Sequence, residues 1–218
     1  MNIIVESMTW LLNALFNLTS AIGLPYWGVA IILLTIIVKT LIYPLTWKQM
    51  ASMRKTVELQ PKIKELQQKY KDNPQKANAE VMELYKKHNV NPMGGCLPLL
   101  IQLPIFWGLY SALLHFNYGS STSAQFIWFN LAQKHDPFYI LPVLAAATTY
   151  LQTKVTSPNA SSDPTQKTML YIMPLFFGYI SATVPPGLAL YWVTMNIVTI
   201  FQQMYINRKL AREKAKTA

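Results

Sequence analysis

Residues 33–45 read LLTIIVKTLIYPL, an apolar run that carries one ammonium group, that of Lys39. A cation at the centre of such a run costs about 2.5–3.5 kcal/mol on insertion scales, so something must offset it. A carboxylate in another apolar run would be the direct answer, but all nine Asp and Glu lie outside the long runs. Neutral polar groups are there instead: Thr35, one turn before Lys39 on the same face, then Gln102, Gln152, Thr194 and Asn196. These can hydrogen-bond water or one another. They predict a water-filled groove with Lys39 as its fixed charge, and an unpaired cation in a wet groove is a binding place for a passing anion. The other reading is a lysine bonded to backbone carbonyls freed by a proline, with Pro98 and Pro104 as sources. Lys39 lies nine residues before Lys48. At about 1.5 Å per residue that is roughly 13 Å of helix, beyond the roughly 6 Å that a lysine stem covers when it snorkels.

No other constellation carries chemistry. His88, His115 and His135 fall in separate regions without ligand spacing. No nucleophile–base pair is visible, so the expectation is no catalytic residue, no metal and no cofactor. The single Cys96 excludes a disulfide framework within one chain. It stands in MGGC, which has the look of a lipidation box but is internal, and a small buried thiol fits it better.

The elements that must hold Lys39 are helices. Hydrophobic residues make up 52% of the 218 and charged residues 13%, about half the usual charge of a soluble domain. The apolar residues cluster into five runs, 26–45, 97–116, 138–155, 169–184 and 187–206, near the roughly 20 residues that a bilayer span needs. The reading is an all-α membrane protein with five transmembrane helices. Charge sets its orientation. Ten of the nineteen Lys and Arg lie between Lys48 and Met93, five more follow the last run, and residues 1–25 have none. Positive segments stay cytoplasmic, so the N-terminus is expected outside and the C-terminus inside. Residues 1–25 also lack the basic start of a cleavable signal.

Residues 1–23 read as an amphipathic helix lying on the outer membrane surface, with Asn2, Glu6, Thr9, Asn13 and Asn17 on one face and Ile4, Met8, Leu11, Leu12 and Leu15 on the other. The alternative is the same helix packed on the protein itself. Residues 24–206 form the core, and 207–218 a basic cytoplasmic tail. Within the core, 48–92 reads as a cytoplasmic helical hairpin. Its stripes are Met50, Met53, Val57, Ile63, Leu66 and Tyr70 against Ala77, Val81, Leu84, Tyr85 and His88, with KDNPQ as the turn. Its lysines are either a solvated face or a docking surface for anionic lipids or a partner. The aromatics of FIWFNL, Phe126, Trp128 and Phe129, are expected at the membrane interface. VPPG at 184–187 makes the last two spans antiparallel neighbours, and SPNASSDPTQ at 157–166 is a polar inner loop. The 169–184 run has 16 residues, about 24 Å of helix, short enough to thin a bilayer core of about 30 Å.

Five stretches resemble one known family, the YidC/Oxa/Alb membrane protein insertases. They are VKTLIYPLTWKQ at 38–49, LQPKIKELQQKYKDNPQK at 59–76, NPMGGCLPLLIQLPIFWGLY at 91–110, DPFYILPVL at 136–144 and PPGLALYWVTMNIVTIFQQ at 185–203. The resemblance implies the short bacterial form, without the large extracytoplasmic domain, in the plasma (inner) membrane. It implies five spans around a hydrophilic groove open to cytoplasm and lipid and closed outside. In the family a positive residue of the first core span, usually arginine, attracts acidic residues of the substrate's tail; Lys39 stands at that position. Lysine keeps the charge but lacks arginine's planar fork. The resemblance also makes Gln152 and Trp192 substrate-facing positions. The partners it implies are nascent membrane proteins, the ribosome and signal-recognition machinery, anionic lipids, and the secretion translocon as a further candidate; DNA is not among them. The expected function is that of an insertase and chaperone, with a small-anion transporter or channel as the alternative.

Overall fold

In a computed structural model the chain is helical almost throughout, with one two-residue β-ribbon. The structure describes residues 2–90, 97–114, 116, 118, 121–156 and 164–217. The expectations placed on Cys96, His115 and residues 157–163 lie outside them. The chain forms two compact units, Met1–Ile42 with Leu103–Ala218, and Tyr43–Gln102.

The first unit holds α1 (Asn2–Ala21), α2 (Trp27–Leu41), α6 (Ser121–Ala124), the strands β1 (Gln125–Phe126) and β2 (Phe129–Asn130), α7 (Ile140–Thr156), α8 (Pro164–Thr183), α9 (Pro186–Thr217) and most of α5 (Leu97–Leu114). Its core gathers Leu12 and Leu15 of α1, Ile31 and Leu34 of α2, Leu109 and Leu113 of α5, and Leu188 and Tyr191 of α9. Helix α9 packs on α2 and α7, and α7 packs on α8. The start of α7 is fixed by Asp136, almost fully buried, whose carboxylate accepts from the backbone N–H groups of Phe138 at 3.2 Å and Leu141 at 2.7 Å. Those N–H groups have no partner within the helix, and an Asp at its head satisfies them.

Helix α1 forms where the amphipathic pattern puts it, and it packs on α2 with Leu12 and Leu15 buried. That matches the alternative reading, packing on the protein. Ile3, Trp10 and Leu18 on its other side are exposed.

Three expectations are corrected. The run 26–45 is not one helix: α2 ends at Leu41 and a new helix begins at Tyr43. Pro44 has no N–H to return to Thr40, and its ring crowds that carbonyl. Ile42 closes the end, its N–H directed at the carbonyls of Val38 and Thr40. The short helix is therefore α2, with 15 residues or about 22 Å. Helix α8 runs for 20 residues, because Pro164 starts it five positions before the apolar run. The aromatics of FIWFNL point inward, not to an interface. Phe126 and Phe129 pair across the ribbon, Phe129 is almost fully buried, and Phe126 covers Gly28. Ile127, at φ 54°, turns outward in their place.

Among the described residues no single helix is both long and apolar enough to cross a membrane by itself, whereas α2 and α3 together meet that measure.

The second unit is a helical hairpin of α3 (Tyr43–Lys69) and α4 (Pro74–Lys87). Asn73 caps α4 by accepting from the N–H of Lys76 at 3.1 Å, and Pro74 opens the helix, as the KDNPQ turn predicts. The packed stripe is Leu59 and Ile63 against Val81, Leu84, Tyr85 and Val90. Leu59 and Val90 were not in the predicted stripes. Tyr70 at the turn carries Lys69 and Lys76 over its ring, at 5.4 and 4.9 Å.

Candidate functional site

Lys39 sits in the last turn of α2, at the foot of a buried stripe formed by Trp27, Ile31, Leu34 and Thr35. The spacing is helical, so all five share one face. Lys39 is only 8% exposed. Among the described residues its ammonium makes no ion pair and no hydrogen bond. Its place at the helix end differs from the mid-helix position expected. The carbonyl end of a helix is electronegative, and a cation in the last turn is stabilised by about 0.3–1 kcal/mol. This meets part of the burial cost without any acid.

The predicted neutral partners do not hold the ammonium. Thr35 is fully buried and donates to the carbonyl of Ile31 at 2.7 Å, and Thr194 donates to Leu190 at 2.8 Å. Each hydroxyl thus returns to its own helix, as Ser and Thr do inside helices. Asn196 is taken up more firmly. Its amide donates to Thr148 at 3.1 Å and Thr149 at 2.9 Å, joining α9 to α7 in a buried site. It ties the two helices together. Gln152 lies half-buried one turn beyond Thr148 on α7. Gln102 belongs to the other unit, where its side of α5 is half-buried.

Trp192 is held edge-on by Phe106 at 5.6 Å and lies over Phe177 at 4.1 Å. Its Nε1 and the Oγ of Ser181 are both buried without a hydrogen-bond partner among the described residues. The residues Trp192 and Ser181 border one small apolar-walled cavity of about 10 Å³, together with Phe106, Phe177 and Leu188.

The structure also engages residues that the sequence reading passed over. On α9 the polar residues Asn196, Thr199, Gln203 and Asn207 follow at steps of three or four and form one stripe. Asn196 holds Thr148 and Thr149, and Asn207 donates to Val155 near the end of α7 at 3.5 Å and accepts from Gln203 at 2.9 Å. On a second face of α9, Gln202 donates through Nε2 to the carbonyl of Lys39 at 3.2 Å. The signal was present in the sequence, two glutamines inside an apolar run.

The far end of α2 has another chemistry. The Trp27 ring stacks on Phe16 at 3.8 Å and meets Phe116 edge-on at 4.7 Å. Its Nε1 donates to the carbonyl of Tyr118 at 2.9 Å. Burial pushes the Tyr118 phenol well above its ordinary range, so it stays neutral.

The family model described as 60Kd inner membrane protein matches residues 17–214. The membrane protein insertase YidC of Helicobacter pylori strain 26695 is 48% identical over 189 residues, covering 86% of this chain and 34% of the relative. That of Laribacter hongkongensis is 42% identical over 214 residues, or 98% of this chain and 38% of the relative. A crystal structure of an active YidC insertase with its first transmembrane domain resolved superposes with a TM-score of 0.74 at 31% identity. It covers 90% of this chain and 44% of that one. The chain thus spans about a third of the length of the curated relatives it matches.

Proposed function

Because the chain belongs to the YidC/Oxa/Alb family of membrane proteins, we propose that it is itself a membrane protein insertase of the bacterial plasma membrane. Its clients are nascent membrane proteins whose short polar tails must cross the bilayer. The observation that carries this reading is Lys39, buried at the foot of the α2 stripe with no ion pair or hydrogen bond to its ammonium among the described residues. An ionisable residue so placed marks a functional site, and the partner proposed for it is an acid that arrives from outside the chain.

In the proposed cycle the core presents a hydrated groove open to the cytoplasm and to lipid, around five spans, with the N-terminus outside. An acidic client tail is drawn in toward Lys39. The client's hydrophobic segment then moves into lipid, and burial of roughly 20 apolar residues drives the step. The membrane potential adds about 2.3 kcal/mol per charge per 100 mV for acidic tails. No bond is made or broken. Half-buried Gln152 and the aromatic setting of Trp192 support their places beside the client. The lysine-rich hairpin α3–α4 and the basic end of α9 are the surfaces for anionic lipid, for the ribosome with its targeting machinery, and for the translocon.

The test is reconstitution of the purified chain in vesicles with a single-span client bearing an acidic tail. Protected, inserted client supports the reading. Uptake of a small anion without client insertion supports the transporter instead.

A further inference from the structure

Lys39 is presented from a helix end, where the last four carbonyls have no donor within the helix. One of these, its own, accepts a hydrogen bond from Gln202, 163 positions away on α9, at 3.2 Å. Among the described residues this is the cross-helix hydrogen bond that reaches Lys39. Thr35, one turn before it on the same face, spends its hydroxyl on its own helix. The Oε1 of Gln202 is buried with no partner among the described residues, so the bond through Nε2 orients the amide. Turned over, the group would set oxygen against the Lys39 carbonyl. The same helix repeats the device: Asn207 donates to Val155, in the last turn of α7. Helix α9 thus places side-chain amides at the carbonyl ends of two neighbours.

We infer that Gln202 is a positioning residue for Lys39, an amide that pins the backbone from which the ammonium faces the client's acid. A lysine stem has four flexible torsions, so where its ammonium points depends on how firmly its Cα is held. Breaking this hydrogen bond at the end of an already interrupted helix lets that turn fray, and the charge is spread over more positions. The attraction of an acidic tail weakens, while a neutral tail, which needs no ammonium, is affected less. This rests on the reading of Lys39 as the group that meets the tail.

The experiment measures insertion of two matched clients into vesicles, one with an acidic tail and one with the amide version of that tail. The quantity read is the ratio of the two. Gln202→Met keeps the side-chain length and removes the donor. Gln202→Asn keeps the amide but withdraws it by one methylene, so that a mere need for polarity would be met. Both variants should lower the ratio by roughly three- to tenfold, the worth of one hydrogen bond. Lys39→Met should lower it at least as far, and adding Gln202→Met to it should lower it no more. If Lys39→Met lowers the ratio while both Gln202 variants leave it unchanged, this inference falls and the functional reading stands. A second loss of equal size in the double variant also overturns it, because Gln202 would then act apart from Lys39. A ratio unmoved by Lys39→Met overturns both.

Discussion

The two ends of α2 are built from opposite materials. At one end Trp27 is wrapped by Phe16, Phe116 and Tyr118, with Phe126 lying on Gly28. There the rings are stacked and the indole N–H has its carbonyl, while the Tyr118 hydroxyl is buried without a partner among the described residues. At the other end, twelve residues on and about 18 Å away along the axis, Lys39 is equally buried but its ammonium lacks a partner among the described residues. One end is built from packed rings, and the other holds a buried charge. Stability is concentrated where contacts are satisfied, and function, on the proposed reading, where one is withheld.

That contrast can be broken by substitutions that should separate stability from client choice. Trp27→Ala removes the stack and the hydrogen bond. It should cost about 3–5 kcal/mol, as large core truncations do, seen as an early unfolding midpoint in detergent. Gly28→Ala comes next. Its Cβ would collide with the Phe126 ring, so the ring must leave, at a cost of about 1–3 kcal/mol. Asn196→Leu breaks two hydrogen bonds to α7 and should cost about 0.6–1.7 kcal/mol, read in the same melt. Lys39→Met should cost least. It removes a buried charge that nothing in the described chain pairs with, so the midpoint should not fall. A large loss of stability in Lys39→Met would erase the contrast and make Lys39 a structural residue.

Much of this was legible in the sequence. Asn73 and Pro74 announce the α4 start by their types alone, and the runs of apolar residues locate the long helices. The break at Ile42 was also written there, in Pro44. Hydropathy does not show it, because it is continuous across the break and does not register a missing N–H. The inward turn of Phe126 and Phe129 was not legible, since aromatic residues suit a membrane interface and a protein core alike. What separates the two is Gly28, far off in sequence, which makes room for one ring. The site was read in part. Lys39 and Thr35 share a buried face as their spacing requires. The tie that Asn196 makes is not legible, because its partners Thr148 and Thr149 are 48 and 47 positions away. The contact of Gln202 is not legible in sequence because it is made to a backbone atom, and no pattern of side chains points to that.

The central claim is that the ammonium of Lys39 receives an acid carried by the client. The direct measurement is insertion of an acidic-tailed client into vesicles by the native chain, by Lys39→Arg and by Lys39→Glu, each checked for an intact fold. The account predicts that Lys39→Arg inserts the client at close to the native rate, and that Lys39→Glu loses at least about tenfold while keeping the amide-tailed client. Equal insertion by all three would contradict it.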